Sequence, residues 1–112
     1  MKFAPLLPLL PLLISLAGCG KPVPPEKSSY VGEWQDKAMY LVITQDGSVR
    51  YKRLKGGGTT SVEGPLKGFN GNNFAVGVGP MSTTFVVSKP PYLDGGTWKM
   101  VVDDAELVKT SN

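Results

Sequence analysis

The stretch AMYLVITQDGSVRYKRL, residues 38–54, decides the fold class. Ala38 to Thr44 is dense in β-branched and aromatic side chains, and Val49 to Leu54 alternates apolar with cationic residues. Runs of this length and composition favour strands. Between them lies Gln45-Asp46-Gly47-Ser48, whose Asp-Gly pair suits the positive φ values of a tight hairpin turn. The segment therefore reads as two antiparallel strands and their connection.

The same pattern continues towards the C-terminus. Gly56-Gly57-Gly58 breaks the second strand, and Thr60 to Phe69 reads as a third, interrupted at Gly64-Pro65. Asn70-Gly71 is a strong turn signal leading into a fourth strand, Asn73 to Val78. Thr83 to Ser88 is the fifth, closed by Pro90-Pro91 because proline cannot donate to a ladder. Thr97 to Val102 and Glu106 to Lys109 form a terminal hairpin around Asp103-Asp104, with Trp98, Met100, Val102 and Leu107 on one face. No window keeps apolar residues at helical spacing, and the connections are too short for crossover helices. The expected fold is all-β: a small antiparallel meander of six or seven strands over residues 30–112, forming a compact barrel or sandwich. With one cysteine there is no internal disulfide, so Trp34, Trp98, Phe69, Phe74, Phe85, Tyr40 and Tyr51 are expected to supply much of the core.

Upstream of the domain the chain has a different character. Residues 20–29 carry Pro22, Pro24 and Pro25 among Lys21, Glu26 and Lys27, a composition expected to stay extended as a tether of about 30 Å. Residues 1–18 read as an export signal: Lys2, an apolar run from Phe3 to Leu16, then the small pair Ala17-Gly18. That run is shorter than the roughly 20 residues a helix needs to cross a bilayer, and it is broken by Pro5, Pro8 and Pro11.

Leu16-Ala17-Gly18-Cys19 resembles the lipobox of bacterial lipoproteins. The resemblance implies cleavage between Gly18 and Cys19, lipidation of the Cys19 thiol, and a membrane contact through the lipid anchor. It also gives the lone cysteine a role in an oxidising compartment, where a free thiol is a liability. Two or more acyl chains hold a protein stably on a bilayer. Gly20 stands where the inner-membrane retention signal of many such proteins has Asp, so the resemblance favours the outer membrane, facing the periplasm.

Removing Lys2 with the leader reduces 12 cations to 11 against 9 acids, a net charge of +2. That is not the basic excess of a nucleic-acid binder, and no nucleic-acid partner is expected. The chain has no histidine, which removes the commonest general base and the usual zinc ligand. Neither a catalytic residue nor a metal or other cofactor is expected. Asp103, Asp104 and Glu106 could act as paired acids or calcium ligands, but aspartates between alternating strands are also what a hairpin turn wants. Gly56-Gly57-Gly58-Thr59-Thr60-Ser61 lacks the Gly-Lys-Ser/Thr ending and the following helix of a phosphate loop, and reads as a turn.

Two features point towards binding. Arg50, Lys52, Arg53 and Lys55 put four cations within six residues, suited to anionic headgroups, lipopolysaccharide phosphates or another envelope polymer. A solvated face, or protection of an edge strand, explains them as well. Gly32-Glu33-Trp34 resembles the Gly-x-Trp motif of lipocalin-like barrels, in which the tryptophan closes one end. The expected function is a non-enzymatic binding or structural role in the envelope, with an envelope protein or polymer as partner. The alternative is a lipocalin-like carrier of a small hydrophobic ligand.

Overall fold

The computed structural model describes residues 20–112, so the export signal, the lipobox and Cys19 lie outside the described residues. Among the described residues a short 3-10 helix, Pro25–Tyr30, precedes nine strands. They are β1 (Gly32–Gln35), β2 (Met39–Ile43), β3 (Ser48–Lys55), β4 (Gly58–Asn70), β5 (Asn73–Val78), β6 (Met81–Phe85), β7 (Val87–Asp94), β8 (Thr97–Val102) and β9 (Ala105–Ser111). All pairings are antiparallel, and the strands form one curled half-barrel sheet in the order β6-β5-β4-β3-β2-β1-β9-β8-β7. The two outermost strands, β6 and β7, are consecutive in the chain and separated only by Val86.

The all-β meander is as expected, with more strands than six or seven. Gly32-Glu33-Trp34 lies inside a strand, β1, pairing with β2 and β9. The expected fifth strand, Thr83 to Ser88, is divided at Val86 between β6 and β7. Pro90-Pro91 does not end β7, which runs to Asp94 as an outermost strand with its register shifting between Lys89 and Tyr92. An outer strand tolerates proline because one of its edges needs no donors. Likewise β4 runs unbroken through Gly64-Pro65, since Pro65 makes the last pair with β3, opposite Ser48.

Alternation places one residue in two on the concave side. Trp34, Leu41, Met100, Val102 and Leu107 are completely buried there, joined by Met39, Ile43, Val49, Leu66, Phe74, Val76, Phe85 and Val87. Phe74 bridges Phe85 and Tyr30 at centroid distances of 5.0 and 6.3 Å, in the tilted and edge-on geometries aromatic pairs prefer. Of the expected core aromatics, Trp34, Phe74, Phe85 and Tyr51 are buried and Trp98 and Phe69 partly so, whereas Tyr40 is on the outer face. The terminal hairpin turns on Asp103-Asp104, both with positive φ (47° and 68°), which aspartate tolerates better than most residues. At the other marked turn, Asn70 pairs with Asn73, so the two loop residues are Gly71 and Asn72, one position beyond the expected Asn70-Gly71.

The expectation of a free tether over residues 20–29 is corrected by the structure. Val23 is buried, and its N–H donates to Gln45 O at 3.0 Å while Gln45 Nε2 donates back to Val23 O at 2.8 Å. Lys21 N–H donates to Leu66 O at 3.1 Å. Prolines leave few backbone donors to satisfy and fix φ, so one apolar anchor at Val23 and another at Tyr30 suffice to dock the segment. It closes one end of the half-barrel.

Candidate functional site

The register of β2, β3 and β4 builds the outer face. Arg50 stands opposite Val42 on one side and Glu63 on the other; Lys52 stands opposite Tyr40 and Ser61. Directly opposed residues in an antiparallel pair have Cβ atoms roughly 5 Å apart, so these six side chains form two adjacent rows across three strands. Two shallow depressions meet on them. One, of about 420 Å³, is lined by Val42, Thr44, Ser48, Arg50, Glu63 and Pro65; the other, of about 470 Å³, by Tyr40, Arg50, Lys52, Ser61 and Glu63. Arg50 Nε and Glu63 Oε2 are 3.1 Å apart, with both side chains about two-thirds exposed (67% and 71%). An exposed pair of this kind contributes little to stability, on the order of 0–1 kcal/mol, and is easily exchanged for a ligand contact. The trough thus offers cations, a carboxylate, a phenol and an apolar flank to a polar or anionic chain lying across the strands.

The four cations of β3 do not form one stripe. Arg50 and Lys52 point outward, while Arg53 and Lys55 share the side of the strand that carries Val49 and Tyr51. Arg53 Nη1 donates to Asp103 O at 3.3 Å, tying β3 to the β8–β9 turn. β3 is an interior strand between β2 and β4, so guarding a sheet edge does not explain its charges. Only Arg50 and Lys52 belong to the outer trough.

The acidic residues near the C-terminus are separated by their partners. Asp103 Oδ1 accepts the Val86 N–H at 2.9 Å, and Asp103 N–H donates to Val86 O at 2.8 Å. Glu106 accepts the Tyr92 hydroxyl at 2.9 Å, and that bond, with some burial, raises the Tyr92 pKa above 10.0. Asp104 is exposed in the turn. Gly56-Gly57 is a hairpin tip, with Gly58 already in β4, so this glycine run leads into strand.

A second cluster lies at the closed end. Trp34 Nε1 donates to Tyr30 O at 2.9 Å, and the Tyr30 hydroxyl donates to Asn72 O at 2.9 Å. Lys109 Nζ sits 5.0 Å from the Trp34 ring centroid and 5.6 Å from that of Trp98, and donates to Ser29 O at 3.0 Å. Burial pushes its pKa below 10.5. With its charge spread over two indole faces and one carbonyl, Lys109 clamps the docked segment against the sheet. Neither Tyr30 nor Lys109 was singled out by sequence reasoning. The available signal was a lysine two residues after Leu107, on the buried side of a terminal strand. Comparison with protein-family models, with curated proteins and with solved structures finds no match for this chain.

Proposed function

We propose that the protein is a lipid-anchored component of a bacterial cell envelope, held at the outer membrane and facing the periplasm, whose half-barrel binds or spaces an envelope partner and catalyses no reaction. The observation that carries this reading is the place of Cys19. It completes Leu16-Ala17-Gly18-Cys19 after a short apolar run, and it directly precedes Gly20, which packs against the backbone of Leu66 and Gly47. A thiol at that position attaches lipid to a folded module without a membrane-spanning segment. The test is the intact mass and partitioning of the protein from membranes. Cys19 should carry acyl chains, and Cys19→Ser should move to the soluble fraction; a Cys19→Ser protein that stayed membrane-bound would end the proposal.

The outer trough of Tyr40, Arg50, Lys52 and Glu63 is the proposed contact with an anionic envelope polymer or protein. Reversing both cations, Arg50→Glu with Lys52→Glu, should abolish retention on such a polymer while leaving the fold intact. Carriage of a small hydrophobic molecule is a second reading, favoured by the curl of the sheet and by Trp34 at its closed end. Native mass spectrometry of protein taken from cells tests it, since a carrier retains its cargo and an empty spectrum counts against one.

A further inference from the structure

Gly20 is built into the fold. A Cβ placed on it would come within 2.5 Å of Leu66 N, 2.7 Å of Leu66 O and 2.8 Å of Gly47 O, all backbone atoms that cannot swing aside. The glycine opposite is equally constrained: Gly47 is buried, has φ +94°, and a Cβ on it would collide with Lys21 O. Two chains meet here with no side chain between them, and hydrogen bonds fix the approach. Leu66 N–H donates to Gly47 O at 2.8 Å, and the bonds of Lys21 and Val23 described above continue the stitching. Only glycine fits such a backbone crossing.

Cys19 is the next residue in the sequence, one peptide bond from Gly20. We infer that the half-barrel is joined to its lipid without a spacer, and that the end formed by Gly20, Lys21, the 44–47 loop and Pro65 rests on the phospholipid headgroup layer. The inference depends on the lipid-anchor reading above and adds to it an orientation. A tether of ten flexible residues would let the domain tumble over the surface. A clamped glycine does not. β3 leaves this end at Ser48 and, at about 3.3 Å per residue, carries Lys55 roughly 20–25 Å away. The hairpin tip and the Arg53–Lys55 segment are thereby held off the anchoring leaflet, and Arg50 and Lys52 face whatever lies beside the domain. The identity of residue 20 is set by this packing, whatever sorting information it also carries.

The experiment uses lipidated full-length protein purified from membranes, with a single fluorophore on Ser48→Cys or on Lys55→Cys, in phosphatidylcholine vesicles carrying a headgroup-level quencher. Both positions are exposed, and acylated Cys19 does not compete for the label. Quenching should be at least about fivefold stronger at residue 48 than at residue 55, given their separation along the strand. Inserting about twelve Gly/Ser residues between Cys19 and Gly20 should level the two signals. Equal quenching in the native lipidated protein, or a difference that survives the insertion, overturns the inference. A mass showing no acyl chain on Cys19 sinks the lipid-anchor reading and the surface contact together, and is distinguished from the other failures by that mass alone.

Discussion

The closed end of the half-barrel and the free end of the β3–β4 hairpin use the same antiparallel pairing, yet they differ in almost everything else. At the closed end Tyr30 packs edge to face on Phe69 and Phe74, and Trp34 Nε1 donates to Tyr30 O. Beyond Arg53 and Thr60 the ladder continues to Lys55 and Gly58, but Leu54 and its neighbours are exposed on both faces. Ladder hydrogen bonds fix register in both places. Net stabilisation comes where a face is also removed from water, because a hydrogen bond exchanged with solvent contributes only about 1 kcal/mol and an isolated two-stranded ribbon is marginal.

Substitutions can break or sharpen that contrast. The largest effect is expected for Trp34→Ala, which empties a fully buried site and should lower stability by about 3–5 kcal/mol in urea unfolding. A loss below about 1 kcal/mol would mean that the closed end is not the centre of stability. Lys109→Ala removes a cation from two indole faces and a bond to Ser29 O, and should cost about 1–2 kcal/mol. Faster amide exchange at Lys21 and Val23 should accompany it if the docked segment loosens as proposed.

Tyr30→Phe should cost about 1 kcal/mol through the lost bond to Asn72 O. It also has a pH signature. Burial raises the Tyr30 pKa above 10.0, so its stabilising contribution is complete below pH 10.0 and is lost as pH rises through the folded value. The phenylalanine variant should therefore show a flatter alkaline limb. Lys109 acts with the opposite sign: its lowered pKa makes stability rise between its folded value and 10.5. Persistence of the full alkaline loss in Tyr30→Phe would assign that loss to another group. Smallest of all should be Leu54→Ala, within about 0.5 kcal/mol, because the side chain is already 56% exposed.

Strand character was legible where a period of two ran for five or more residues, as in β3, β5 and β8, and in β2 from its β-branched and aromatic composition. It was not legible in β1, whose four residues Gly32–Gln35 are too short to show a period. Prolines misled in three places for one reason. Pro65 and Pro90-Pro91 read as breaks, and Pro22, Pro24 and Pro25 as a free tether, although each sits where the structure needs no N–H. Whether a donor is needed depends on the neighbour, which local sequence does not state. The cations of β3 read as one group in the sequence, but a period of two divides them, leaving Arg50 and Lys52 to share a face with Tyr40 and Glu63. Those last two come from other strands and join the trough only through register. Tyr30 and Lys109 are likewise 79 positions apart in sequence and meet at Ser29 and Trp34 only in the folded chain.

Val86 has a mechanical meaning. Because the two borders of the sheet are successive lengths of one thread, neither can peel away by itself: a pull on β6 passes through a single residue into β7 and onto the Asp103 clasp. An open sheet ordinarily frays from whichever margin is weaker. Here both margins share one knot, so loosening from that side should be all-or-none.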